Sequence, residues 1–157
     1  MTDAKFEDGA EQPLRLMAAD MDDLQVMSAL TQDAVFPGNE MSFRKSERRF
    51  ALLLNRFRWE DKTAAERRGR DFERVQSVLF VDDVLGVQTQ GVSRDEETVY
   101  SLMSMAFEAG EDGMGRLILT LSGDGAIALN VEALNVSLKD VTRPYVAPSK
   151  QAPGHDD

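Results

Sequence analysis

The chain of 157 residues contains no cysteine, one histidine, one tryptophan and five prolines. Without cysteine there are no disulfides, thiolate zinc sites, iron–sulfur clusters or cysteine nucleophiles. The one histidine, His155, sits in the Pro/Gly stretch APSKQAPGHDD, where nothing supports it rigidly. Ser-His-Asp chemistry and histidine-ligated metals need preorganised side chains, so both lose their basis. No run approaches the ~18 apolar residues of a membrane span. The opening MTDAKFEDGAEQ is acidic and has no apolar h-region. A cytoplasmic protein with no metal, no cofactor and no membrane partner is the expectation.

Positive charge is also scarce: 18 Lys and Arg stand against 28 Asp and Glu, a net charge of −10. Such a chain repels polyanions at long range. The scarcity is uneven, however. Residues 44–74 carry eleven bases and six acids, +5 locally, which leaves −15 on the rest. Hydrophobic residues at 42% and charged residues at 29% are those of an ordinary globular domain, and the length suits one such domain. Polar, aperiodic ends predict tails at 1–12 and 147–157, both disordered, around a single folded unit at 13–146.

Inside that unit the pattern predicts one N-terminal helix. Asp20 is the N-cap, and Asp22 and Asp23 stand in the first turn, where the helix dipole favours acids. Leu24, Met27, Leu30, Thr31 and Ala34 form its apolar stripe, and Pro37-Gly38 stops it. The period then changes to two. Phe50, Leu52 and Leu54 share one strand face. Asn55, Phe57 and Trp59 weigh on the other, which predicts a bulge or a strand covered on both sides. Residues 60–73 read as a charged connection with one helical turn at Thr63–Arg68. Leu117–Leu121 and Ile127–Val131 form a hairpin around Gly123-Asp124-Gly125, followed by a bend near Glu132-Ala133. The sum is an α+β protein: one helix on a curved or barrel-like, mainly antiparallel sheet of about seven or eight strands.

No motif carries a reaction. The acid pairs Asp82-Asp83, Glu96-Glu97 and Glu111-Asp112 fall at turns, where neighbouring side chains diverge. Gly110–Gly115 holds two acids, lacks lysine and precedes a strand, unlike a phosphate loop. No catalytic residue is assigned. The most unusual stretch is Leu53–Glu60. On a strand Arg56, Arg58 and Glu60 share one face, so the two arginines can clamp an anion while Trp59 stacks on a ring. The plainer alternative puts Phe57 and Trp59 in the core and pairs the arginines with acids such as Asp33 or Glu60. Gln32-Asp33 at the helix end opposes the dipole, which predicts an arginine partner from the 44–58 strands. Candidate binding residues are therefore Arg56, Arg58, Trp59, Glu60, Gln32 and Asp33.

Three segments carry a resemblance. Ser28–Val35 (SALTQDAV), Leu53–Glu60 (LLNRFRWE) and Leu138–Val141 (LKDV) resemble the alphaproteobacterial domain-of-unknown-function family 2948. The likeness spans about 13–145, and NRFRWE is its most specific piece. It implies no activity, cofactor or catalytic residue. The leading expectation is thus a non-catalytic binding or interaction module. Its partner is an unknown protein or a second copy in a homodimer. One alternative is anion or nucleic-acid binding through 44–74, which the acids interspersed there disfavour. The other is an enzyme using carboxylate and arginine chemistry without metal or histidine.

Overall fold

Alternating side chains dominate the molecule and build one sheet. The computed structural model describes residues 12–147 together with 152 and 153. Its strands are β1 (Arg15–Ala18), β2 (Ala34–Pro37), β3 (Met41–Arg44), β4 (Arg49–Phe57), β5 (Glu73–Val81) and β6 (Val84–Gln90). After these come β7 (Val99–Ala109), β8 (Gly115–Leu121), β9 (Ala126–Val131), β10 (Val136–Asp140) and β11 (Tyr145–Val146). Helices α1 (Met21–Leu30) and α2 (Lys62–Arg68) interrupt them.

The α+β class and the antiparallel sheet agree with expectation, but the element count does not. Among the described residues two α-helices and eleven strands stand where one helix and seven or eight strands were expected, and the sheet is not closed. The missed strands have two to four residues, too short to carry a period. One of them, β2, lies inside the stretch expected to be helical. Helix α1 starts where foreseen, with the Asp20 carboxylate accepting from the Asp23 N–H at 2.8 Å. It ends at Leu30, not near Pro37. The Thr31 hydroxyl donates to the Met27 carbonyl at 2.9 Å, and Asp33 adopts φ 63°, which breaks helical continuity and turns Ala34–Pro37 into the sheet. Helix α2 occupies the expected charged connection, and Gly69 ends it at φ 64°, a left-handed cap that favours glycine.

Hydrogen-bonded neighbours run β1-β10-β5-β4-β2-β7-β8-β9-β6, with β11 on β5 and β3 on β4. Strand β2 joins two groups: Val35 pairs with Asn55 of β4, while Ala34–Pro37 pair with Val99–Leu102 of β7. The expected hairpin is β8–β9, with Leu119 opposite Ile127 and Leu117 opposite Leu129. The expected bend at Glu132-Ala133 is where the chain leaves β9 and crosses to β10, on the other group. Inward residues of both groups, among them Phe50, Leu52, Leu79, Leu102, Leu119 and Leu138, pack as one core that Leu24 and Met27 of α1 join. Each such burial is worth about 1.5–3 kcal/mol.

Loop 91–98 crosses close to the start of β3. A Cβ on Gly38 would stand 1.7 Å from the Ser93 carbonyl oxygen, so only glycine allows the crossing. The expected tails and His155 lie almost wholly outside the described residues, and Ala152 and Pro153 are half-buried.

Candidate functional site

Strand β4 sends its inward parity from Phe50 through Leu52 and Leu54 to Arg56, so a guanidinium stands where the pattern calls for a core side chain. Arg56 is fully buried. Its neighbours on the same inner face are Ser77 of β5 and Asp140 of β10, themselves a register pair. Arg56 Nε donates to Ser77 Oγ at 3.0 Å and to Asp140 Oδ1 at 3.2 Å. Nη2 reaches both Asp140 oxygens at 3.0 and 3.1 Å. On its other side Arg56 grips Glu60 in a two-bond fork of 2.9 and 2.8 Å. Asp140 also accepts from Ser77 Oγ at 2.7 Å and from the Leu14 N–H at 3.0 Å. Burial works against the Arg56 charge, but the Glu60 and Asp140 carboxylates more than offset it and hold the guanidinium above its ordinary value.

The network continues outward. Arg58 lies 3.9 Å from Glu60 and 3.7 Å from Asp61, and it also bonds Glu73. Arg70 forks onto Asp61 at 3.1 and 3.0 Å. Asp140, Arg56, Glu60, Arg58, Asp61, Glu73 and Arg70 therefore form one alternating ladder, a stapled end of the core. Arg56, Arg58, Asp61 and Asp140 are buried in it. The three sequence-named residues Arg56, Arg58 and Glu60 come together, but as partners of each other and of acids. That is the plainer of the two expectations. Four more bases of the zone are similarly engaged: Arg44 with Glu47, Arg48 with Glu132, Arg49 with Asp82 and Lys62 with Glu66.

Trp59 turns to the opposite face, as its parity foretold. Its ring meets Phe57 at 4.7 Å, and Phe57 meets Phe72 at 5.6 Å, both edge-on. Phe57 and Ala65 are buried yet stand outside the main core. Strand β4 is thus covered on both sides at this end, and no register shift breaks its pairing with β5. Trp59 itself is half-buried, less than a core assignment requires, and its Nε1–H donates to the Gln32 carbonyl at 2.9 Å. Gln32 and Trp59 are therefore neighbours.

Next to them runs a row the sequence did not single out. Tyr145, Arg74 and Phe57 stand opposite one another across β11, β5 and β4. Arg74 Nε donates to Asn55 Oδ1 at 2.7 Å, and Nη2 donates to the Asn55 backbone carbonyl at 3.1 Å. Asn55 Nδ2 in turn donates to the Tyr145 hydroxyl. Arg74 is half-buried, and none of its ion pairs lies within 4 Å among the described residues. Burial pulls its guanidinium below the ordinary value, and the nearby Tyr145 and Asp33 offset that only in part. Arg74 of β5 is thus an arginine that feels Asp33. Asp33 has also left the helix, which removes the dipole conflict that motivated the pairing. Here Trp59, Gln32, Asp33, Asn55, Arg74 and Tyr145 share one outer face.

Nothing in the sequence marked Arg74 or Tyr145, because their meeting depends on β11, a two-residue strand. Asp140 had a faint signal: an acid at the inward parity of Val136, Leu138 and Asp140. Among the described residues no group of three or more His, Asp or Glu could hold a metal ion, and no helix is long and apolar enough to cross a membrane. The comparisons with known proteins agree with the resemblance noted from the sequence. The chain belongs to the family described as protein of unknown function (DUF2948), whose model matches residues 14–155. No curated protein and no solved structure matches it.

Proposed function

We propose that the protein is a non-catalytic cytoplasmic binding module, and that its outer face at Trp59, Asn55, Arg74 and Tyr145 takes a carboxylate from a protein partner. One observation carries this reading: among the described residues, the half-buried Arg74 guanidinium makes hydrogen bonds only to the amide groups of Asn55. A desolvated cation whose burial is offset only in part, here by Asp33 and Tyr145, costs stability. The two-pronged donor geometry of arginine suits a carboxylate, and a carboxylate would remove that cost. The half-exposed Trp59 and Tyr145 supply flat, amphipathic rims of the kind that interfaces favour.

The enzyme alternative finds less support. Asp140, Glu60, Asp61 and Glu73 are the carboxylates nearest the unusual stretch, and guanidinium hydrogen bonds hold all four. A general acid or base needs a carboxyl that can reach substrate. The nucleic-acid alternative is weakened in the same way, since Arg44, Arg48, Arg49, Arg56, Arg58, Lys62 and Arg70 all face acids.

The test is a titration with a short acidic peptide, acetyl-Glu-Glu-Glu-amide, followed by Trp59 emission and the Arg74 Nε–H resonance. Saturable changes at both, lost in Arg74→Met, are expected. Changes that persist in Arg74→Met, or that map only elsewhere, would remove this face from consideration.

A further inference from the structure

The open end of the sheet holds a second surface, independent of the Arg74 face. Among the described residues, strand β1 pairs with β10 and with no other strand. Leu14 fixes its phase. The Asp140 N–H donates to the Leu14 carbonyl at 3.0 Å, and the Leu14 N–H returns to the Asp140 carboxylate at 3.0 Å. Antiparallel pairs alternate between residues that bond their neighbour and residues that do not. Leu14, Leu16 and Ala18 therefore direct their backbone groups to β10, and Arg15 and Met17 direct theirs off the edge. Both are exposed, and Met17 at 73% is the most exposed large apolar residue described. Met21 and Val26 of α1 are each 56% exposed. Unpaired edges of this kind are normally blocked or covered.

The charges at this edge are unusual as well. Arg15 stands directly opposite Lys139 in the β1–β10 register, a like-charged cross-strand pair, which is unfavourable. Neither makes an ion pair with a described residue. Three residues beyond Met17 the acids Asp20, Asp22 and Asp23 open α1, also exposed. One patch thus carries two bases at one end and three acids at the other. A patch joined to itself by a twofold axis must be complementary to itself, and this one is.

We propose that two copies of the chain pair antiparallel through their β1 edges about a twofold axis at Leu16, forming a homodimer with a continuous sheet. In that register Arg15 faces the partner's Met17, and Met17 faces the partner's Arg15. The outward N–H and C=O groups of both residues are then paired. The like-charged Arg15–Lys139 pair approaches Asp20, Asp22 and Asp23 of the partner subunit, which neutralise it. Met17 and Met21 lose their exposure in the same step.

Sedimentation velocity on the full chain over a thousandfold concentration range tests the proposal, with circular dichroism as the check on folding. The wild type sediments at twice the chain mass at the upper end. Arg15→Glu weakens self-association about tenfold or more, as does Asp22→Lys with Asp23→Lys. A chain carrying all three substitutions regains dimer relative to either charge swap alone, because the contacts of residue 15 with residues 22 and 23 have changed sign on both sides. Arg74→Met leaves the dimer intact, so failure here and failure of the carboxylate face are separable. A wild type that stays monomeric throughout overturns the proposal. So does a dimer indifferent to the charge swaps, or one that the combined variant does not recover.

Discussion

Arg56 and Asp140, 84 residues apart in the chain, meet through three guanidinium–carboxylate hydrogen bonds of 3.0 to 3.2 Å in the buried end of the core. Removing one member of a buried pair leaves the other charged and desolvated. Asp140→Leu should therefore cost about 3–5 kcal/mol in urea denaturation. The remaining Glu60 fork keeps the loss near the lower bound. Replacing both residues with leucine should cost less than the two single changes added together. Additive losses would show that Arg56 and Asp140 do not act as a pair.

Trp59 has one face on Phe57 and its N–H on Gln32, yet stays half-buried. Trp59→Phe keeps the ring contact and loses one hydrogen bond, at about 1 kcal/mol. Trp59→Ala should cost about 2–3 kcal/mol, below the range for fully buried aromatics. Its emission should lie between that of a buried and a free indole. Full quenching by iodide, with no stability loss in Trp59→Ala, would contradict the contact.

Much of this end of the molecule was legible in the sequence. Period two placed Arg56, Arg58 and Glu60 on one side and Phe57 and Trp59 on the other, and the side chains sort that way even after β4 gives way to a 3₁₀ turn at Trp59–Asp61. The partners of those residues were not legible. Asp140 and Glu73 reach the ladder through strand pairing over long separations, and Arg74 meets Tyr145 through the two residues of β11. The helix was overrun for a related reason. Thr31 and Ala34 fit its stripe, but pairing of Ala34–Pro37 with β7 outweighs four residues of helical propensity.

Loop 91–98 should respond to acid. Asp95 accepts the backbone N–H groups of Thr98 at 2.7 Å and Glu97 at 3.1 Å. The Thr98 bonds, first, hold its carboxyl below the ordinary value. The folded value lies below the unfolded one, so the stabilisation is complete above the ordinary carboxylate range and is lost as the pH falls through the folded value. Protection of the Thr98 amide, its exchange rate taken relative to the free-amide rate at the same pH, should fall there, and Asp95→Ala should show the low protection at neutral pH. Protection at Thr98 that ignores both changes would count against this turn.

The basic zone should not hold nucleic acid. At least seven of its eleven bases face acids among the described residues, on a chain of net charge −10. Labelled single- and double-stranded DNA and RNA should show no binding at physiological salt. Weak binding at low salt should vanish as salt rises. Micromolar binding that survives physiological salt and disappears in Arg67→Glu with Arg68→Glu would put the nucleic-acid reading first.

The central claim is that Arg74 is kept for a ligand and not for the fold. Arg74 stays charged at every accessible pH, so its burial cost is constant and no pH titration reveals it. Substitution does. The most direct measurement is the thermal unfolding of Arg74→Met beside the wild type, without ligand. The account predicts a melting temperature equal to or above that of the wild type, a gain of up to about 1 kcal/mol, because a desolvated cation gives way to an apolar chain of similar reach. A clear loss of stability would make Arg74 a structural residue and contradict the account.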